Sequence, residues 1–512
     1  MIFFSNKIFF FFLALAIPSA TLADGTGDSA EYRSYAQQYA EKVAADELSA
    51  ASIGVLALDA EGDTIVSLNP DRLLMPASNM KLVTTGLALD RLGGDFRFVT
   101  RIGYTGEIID STLSGDVYIM GGGDPTIASD DSIAASLPEL FGEWERILEC
   151  AGIRRIEGHI VGDDRFFGDI MPEEQSWQWD DCGTYYGAGI SGLSFFENKQ
   201  DFKAAAGDSE GDPVKIEEDF PVCGWMTYRN ESQTGAPGTG DKLYYYTSDL
   251  APTGIMRGTL GAGISSRTLE CSNKFPAYTC ASYFADWLGM KGTECTEGPA
   301  DTGYFAPEDG PADVNAINEA GCTYSAELSG IARMTNHDSN NVYAETLFHI
   351  LGKSVSGSGD YEQSRTALKT LLSDMGLSGY KTAIRDGSGL SRQNLLSPSF
   401  LCGFLREMEE SRGFGDFVSS LPSPGDKGTM ETVMTDHDMG LKCRIRLKSG
   451  SMTGVKCFSG YIFPGNASEY SGRPQEKPIV FSIMINNSLL SQYRMQKIAD
   501  RLIFLISAGR QD

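Results

Sequence analysis

The chain has 512 residues, 41% of them hydrophobic and 22% charged, which is enough apolar material for two or three cored domains and excludes a largely disordered polymer. Its 42 basic residues against 69 acidic ones leave a formal charge of −27. Spread along the chain rather than gathered in a tail, that charge speaks against nucleic acid and anionic membrane surfaces as partners.

The first residues are built like an export signal: Lys7 precedes the apolar run Ile8 to Ile17, and Pro18 and Thr21-Leu22-Ala23 follow before Asp24. That run is too short to span a bilayer, so residues 1–23 read as a signal peptide cleaved after Ala23, leaving no transmembrane anchor. The expected destination is the periplasm or the extracellular, cell-wall space. Export permits disulfides, and the ten cysteines are an even number, so local cross-links around Cys223, Cys271, Cys280 and Cys295 are plausible. Cys402, inside Phe400-Leu401-Cys402-Gly403-Phe404-Leu405, reads instead as a small buried hydrophobe. No paired C-x-x-C spacing occurs, so no metal site is expected.

In chain order, Tyr35, Tyr39 and Val43 at i, i+4 and i+8 predict a helix over Glu31 to Leu48. Ser52 to Leu58 reads as a buried strand that turns at Ala60-Glu61-Gly62-Asp63 into Thr64 to Leu68. Pro76 then stands where a fixed φ suits the first turn of a helix. From about Phe98 to Asp313 short β-prone runs such as Val99 to Tyr104, Asp116 to Met120 and His159 to Val161 alternate with Gly and Asp, and a helix is expected near Ser136 to Cys150. From Val314 onward the chain is expected to turn helical, with Val342 to Phe348 an apolar helix. Arg444 to Lys448 and Val455 to Phe463 predict a hairpin around Gly450-Ser451-Met452-Thr453-Gly454, followed by a strand over Ile479 to Asn486 and a helix over Gln492 to Ser507. Two strands before the helical region and three after it would build one antiparallel sheet from both ends of the chain.

The chemistry begins at Ser78-Asn79-Met80-Lys81, where i and i+3 place a hydroxyl and an amine on one helix face. A serine needs a base to become a nucleophile, and lysine is a base near neutral pH only when desolvation or a second cation lowers its pKa. Taken alone, such a spacing is as easily a solvated helix face. Ser339-Asn340-Asn341 and Lys448-Ser449-Gly450 follow it in order, which is far more specific. The middle element alone would read as a helix cap, since Ser and Asn favour helix starts.

This ordered set resembles the penicillin-recognising serine acyl transferases. The long stretch between Lys81 and Ser339 looks like the insertion of the D-alanyl-D-alanine carboxypeptidase/endopeptidase family of low-molecular-mass class C penicillin-binding proteins. Gly121 to Thr126, Gly162 to Phe166, Tyr185 to Ala188 and Asp386 to Arg392 agree with that family, as do Leu421-Pro422 with Gly425, Gly428 and Thr429. The resemblance runs from about Ser52 to the C-terminal helix. It implies an α/β transpeptidase/β-lactamase-like fold: a discontinuous catalytic domain over 24–97 and 314–512, interrupted by a mostly β insertion over 98–313.

By motif position, Ser78 is the expected nucleophile on the penultimate D-alanine and Lys81 its base. Lys448 would supply positive potential to Lys81 and attract the substrate's terminal carboxylate, Ser339 would relay a proton, and Asn341 would fix Lys81 and hold the substrate amide. Ser449 stands for the family's more usual threonine and keeps its hydroxyl; Gly450 follows it, and the backbone N–H groups of Ser78 and Ser451 are the expected oxyanion hole. Asp181, Tyr186, Arg392 and Thr453 form the expected pocket for the residue before D-alanine, an Asp and an Arg together suiting an amino acid such as diaminopimelate. No cofactor is required. Peptidoglycan stem peptides are the implied substrates, cut as carboxypeptidase or DD-endopeptidase, and β-lactams the implied covalent inhibitors.

Two decoys are set aside. Gly207-Asp208-Ser209-Glu210-Gly211 matches G-x-S-x-G but lies in an acidic, breaker-rich stretch expected to lack both the strand and the helix that motif requires. His337 and His437 are read as loop or supporting residues rather than triad members. A serine β-lactamase or esterase on the same fold is the rival enzyme, weakened by the insertion; a non-catalytic peptidoglycan-binding protein is the rival from another class, weakened by the intact motifs.

Overall fold

The structure, a computed structural model, describes residues 29–168, 173–469 and 476–508, so the expected signal peptide lies outside the described residues. Both ends of the described chain meet in a five-stranded antiparallel sheet, in the order Ile445–Met452, Val455–Ile462, Ile479–Asn486, Ser52–Leu58, Thr64–Leu68. Alternation along each strand divides the side chains between two cores. Ile53, Val55, Ile445, Leu447, Phe481 and Ile483 face the helices Ser29–Ala45 and Gln492–Ala508. Leu56, Cys457, Tyr461, Val480 and Met484 face the larger core that holds Met80–Leu92, Leu328–His337, Asn341–Ser356 and Pro398–Met408. Since Leu447 points to the first core, its neighbour Lys448 is turned toward the second, and that alternation orients the K-S-G segment.

The strand carrying Lys448 is longer than expected. It continues through Gly450 and Ser451 to Met452, which pairs with Val455, so the turn is only Thr453-Gly454. Gly450 marks a close approach rather than a bend: a Cβ there would meet the Pro76 carbonyl oxygen at 2.5 Å.

At Val314 the expected helical region supplies only a single 3₁₀ turn, Val314–Ala316. Asn318–Tyr324 is a strand paired antiparallel with Val99–Tyr104, and helix starts at Leu328. That strand is half-exposed and small or polar along most of its length, so it carries no apolar alternation to read. It closes a five-stranded sheet with Gly298–Asp301, His159–Asp163 and Val117–Met120, packed on Leu137–Cys150 and Pro276–Lys291 around Phe141, Trp144 and Phe284. Further small sheets formed by strands between Lys199 and Ser272 extend the insertion.

All ten cysteines are unpaired, which corrects the cross-links read as plausible around Cys223, Cys271, Cys280 and Cys295. Burial pushes the thiols of Cys223 and Cys457 up to about 12, and those of Cys271, Cys280 and Cys402 up as well, so none of the five is a ready thiolate. Cys402 is fully buried in the larger core. A strand, Lys199–Ala205, does precede the Gly207–Gly211 decoy, but no helix follows it and Ser209 is exposed. Among the described residues no helix is long and apolar enough to cross a membrane.

Candidate active site

Ser78 lies in a single 3₁₀ turn, Ala77–Asn79, that runs into the helix Met80–Leu92. A 3₁₀ turn eclipses i and i+3 even more closely than an α-helix, so Ser78 and Lys81 still stand side by side. Three contacts fix the turn. Asn79, fully buried, donates from Nδ2 to Ser459 Oγ at 2.7 Å, and Ser459 bonds Ser482 across the sheet. The Gly450 strand presses against Pro76 and Ala77. Gly389, at φ +86°, comes so near that a Cβ would meet the Ala77 carbonyl oxygen at 1.9 Å. Ala77 and Ser339 themselves adopt φ values of +47° and +61°, left-handed conformations that cost a non-glycine residue about 1 kcal/mol each and gather at functional sites.

Lys81 is 0% exposed, and its Nζ lies 3.1 Å from Ser78 Oγ, 2.6 Å from Asn341 Oδ1 and 2.9 Å from the Ser388 carbonyl oxygen. Asn341 Nδ2 donates to the Tyr186 carbonyl at 2.7 Å, which turns Oδ1 toward the lysine. Asn341 Oδ1 and Ser388 O can only accept, so a neutral amine gives them its two hydrogens and leaves its lone pair for the Ser78 hydroxyl. Burial is what lets the amine lose its proton near neutral pH. It lowers the Lys81 pKa to about 7, against the opposing pull of Glu345 and Asp386.

Lys448 is also 0% exposed, and its Nζ has no hydrogen-bond partner among the described residues. Burial first, and then the positive charge of Lys81, hold its pKa well below the usual lysine range. A buried donor without a partner is costly unless something else fills the place.

A cleft of about 550 Å³ opens above these lysines, lined by Ser78, Ser339, Asn341, Ser451 and Thr453 together with Asp181, Tyr186 and Arg392. Sequence-distant residues therefore share one cavity, with Lys81, Lys448, Ser449 and Gly450 buried beneath or behind its lining. Tyr186 donates its hydroxyl to Asp181 Oδ1 at 3.1 Å, and Arg392 Nε reaches Gln178 Oε1 at 2.8 Å. The cap function of the middle motif falls on Asn340, whose Oδ1 accepts from Tyr343 N at 3.1 Å, so Ser339 and Asn341 are left to face the cleft. No hydrogen bond joins Ser339 Oγ to Lys81 among the described residues. His337 ends the helix Leu328–His337, its pKa lowered to about 4 by burial, and His437 stacks on Phe504.

Several residues escape sequence reasoning. Asp130, Asp131, Glu197 and Asp338 make one wall of the cleft acidic. Glu345 is buried near Lys81; the available signal was a lone carboxylate in an otherwise apolar helix, one turn beyond Asn341.

The family profile described as D-Ala-D-Ala carboxypeptidase 3 (S13) matches residues 35–507. The chain belongs to that family. Its members are serine-type hydrolases of the low-molecular-mass class C penicillin-binding proteins, and this chain is one of them. It is 28% identical over 444 residues to a D-alanyl-D-alanine carboxypeptidase of Actinomadura sp. (strain R39), covering 82% of this chain and 77% of the relative. It is 24% identical over 475 residues to the penicillin-sensitive carboxypeptidase A of Dictyostelium discoideum, covering 87% and 84%. In fold it matches the crystal structure of penicillin-binding protein 4 (DacB) from Haemophilus influenzae, with a TM-score of 0.74 at 19% identity over 91% of this chain and 97% of that one. A structure of the same H. influenzae protein complexed with a β-lactam matches with a TM-score of 0.69 at 18% identity, again over 91% and 97%.

Proposed function

We propose that this class C penicillin-binding protein hydrolyses D-Ala-D-Ala stem peptides through an acyl-enzyme on Ser78, with Lys81 as the base. The observation that carries the reading is the direction of the Lys81 lone pair. Two acceptor-only oxygens take the amine's hydrogens, and the Ser78 hydroxyl occupies the remaining place. In the first step the hydroxyl proton passes to Lys81 while Oγ bonds the carbonyl carbon of the penultimate D-alanine. The C–N bond then breaks as the leaving amine receives a proton, for which Ser339 at the cleft wall is the relay. Water reverses the sequence to free the acid.

The unpartnered Lys448 Nζ is the counter-ion for the substrate's terminal carboxylate, with Ser449, Ser451 and Thr453 supplying hydroxyls along the same strand and turn. That strand is an edge of the sheet, so its free backbone groups can pair with an extended peptide, and the Ser451 N–H can join that of Ser78 on the oxyanion. Asp181, Tyr186 and Arg392 receive the preceding side chain. The same cleft admits cross-linked peptides, hence DD-endopeptidase action, and β-lactams, which acylate Ser78. An exported chain, freed of residues 1–23, meets these substrates in the cell-wall space. The catalytic part comprises 24–97 and 314–512, although the strand Asn318–Tyr324 pairs with the insertion and favours a crossover after Tyr324.

Labelling with a fluorescent penicillin tests the reading. A covalent adduct in the native protein that is lost in Ser78→Ala supports it, and no adduct in the native protein defeats it. Rapid turnover of the adduct points to the β-lactamase alternative instead.

A further inference from the structure

Lys81 is aimed by its neighbours, and one of them is a backbone carbonyl. Ser388 O belongs to a loop, Asp386 to Ser391, that carries no helix or strand of its own. A carbonyl in such a loop aims a catalytic amine only if the loop is held rigid. Two buried carboxylates hold it. Asp386, 0% exposed, accepts from Gly389 N at 2.9 Å and Asn394 Nδ2 at 2.7 Å on Oδ1, and from Ser391 N at 2.6 Å and Trp177 Nε1 at 2.8 Å on Oδ2. Glu345, 1% exposed, accepts from Ser388 N at 2.8 Å on one oxygen and from Gly387 N at 3.1 Å on the other.

The directions follow from peptide geometry. In a trans peptide the N–H and C=O point opposite ways, so the unit joining Ser388 to Gly389 has its N–H on Asp386 and its C=O on Lys81. The preceding unit has its N–H on Glu345 and its C=O on Thr84 Oγ1 at 2.7 Å, one turn along the nucleophile helix from Lys81. Glu345 and Asn341 lie at i+4 and i of the helix Asn341–Ser356 and so share a face. That helix thus reaches the lysine twice, directly through Asn341 Oδ1 and indirectly through Glu345 and the loop.

We propose that Glu345, with Asp386, is a positioning residue for Lys81: it locks the 387–388 backbone so that Ser388 O and Asn341 Oδ1 together turn the amine's lone pair onto Ser78. The proposal rests on the serine acyl-enzyme reading above. Burial, with Asp386 beside it, pushes the Glu345 carboxyl up to about 8, so near neutral pH its hold on the loop is one of hydrogen bonding and shape, while any charge the pair keeps favours the protonated form of Lys81. Tyr361, on the helix Tyr361–Asp374, also faces the two carboxyls, while Lys448 on the edge strand is itself held to a lower proton affinity by the charge of Lys81.

The test compares the wild type with Glu345→Gln, which keeps shape and one acceptor oxygen but points an amide donor at a backbone N–H, and with Glu345→Ala. Acylation by a fluorescent penicillin is followed from pH 5 to pH 9, with thermal unfolding measured in parallel. The expected result for Glu345→Gln is an acylation rate at least about ten-fold lower at saturating penicillin, with little change in the half-saturating concentration. A Glu345→Gln protein that acylates at the wild-type rate overturns the proposal, as does one that loses rate only in proportion to its unfolded fraction. A wild type that forms no adduct defeats the carboxypeptidase reading, and this proposal with it. If Glu345→Ala does not fold, Glu345→Gln alone decides.

Discussion

Burying Lys81 works against the fold in a way that depends on pH. Its pKa is about 7 in the folded protein, against 10.5 for an ordinary lysine. Between those values the unfolded chain binds a proton that the folded one does not, so stability rises with pH across this window. Below about pH 7 the cost is complete, at about 1.4 kcal/mol per unit of the shift. Lys81→Met lacks this contribution. Its stability relative to wild type should therefore be more favourable at pH 6 than at pH 9, by about 2–3 kcal/mol in chemical denaturation. Equal differences at the two pH values would mean that Lys81 is not neutralised on folding. On the proposed mechanism the same titration would set the acid limb of acylation near pH 7. At this scale the adjacency of Ser78 and Lys81 was legible in the sequence, because it is local. The sequence was silent on the Ser388 carbonyl, because a backbone group leaves no mark in residue identity.

Among the elements, the strands of the main sheet were legible because both faces are apolar and turn residues bound them, while Asn318–Tyr324 was hidden by its polar, half-exposed face. Gly450 was misread as part of a turn, since glycine signals both a bend and a close approach. Gly389 allows the two demands on a glycine to be separated. It has φ +86°, and Gly152, past the end of the helix Leu137–Cys150, has the same φ but nothing within 4 Å of where a Cβ would sit. Gly152→Ala should cost about 1 kcal/mol from strain alone and leave acylation unchanged. Gly389→Ala carries the same strain and also drives a methyl into the Ala77 carbonyl, displacing the turn that presents Ser78. Its acylation rate should fall by about 100-fold in protein that remains folded, since a shift of about 1 Å at a nucleophile has that effect. Equal rates in the two variants would show that the loop does not support the nucleophile turn.

Across the whole molecule, the segment 98–313 is tied to the helix Asn341–Ser356 and its cap. The Tyr186 carbonyl orients Asn341, Glu197 accepts from Asn340 Nδ2 at 2.6 Å, and Lys353 Nζ donates to the Phe166 carbonyl at 2.6 Å. The sequence suggested an insertion over 98–313, yet could not show that its backbone bonds Asn341, because such contacts join residues remote in the chain. Trp177 makes this coupling measurable. It lies in the insertion, is 8% exposed, and donates Nε1 to Asp386, the carboxylate whose other bonds hold the Ser388 loop. Trp177→Phe keeps most of the ring packing and removes that one donor. A buried carboxylate that loses one of four donors should cost about 1–3 kcal/mol, seen as earlier unfolding in denaturant. If the insertion acts on Lys81 through this bond, the acylation rate should fall as well, while penicillin still binds the unaltered cleft. A Trp177→Phe protein with reduced stability but wild-type acylation would confine the bond to structure, the three other donors to Asp386 then sufficing to hold the Ser388 loop.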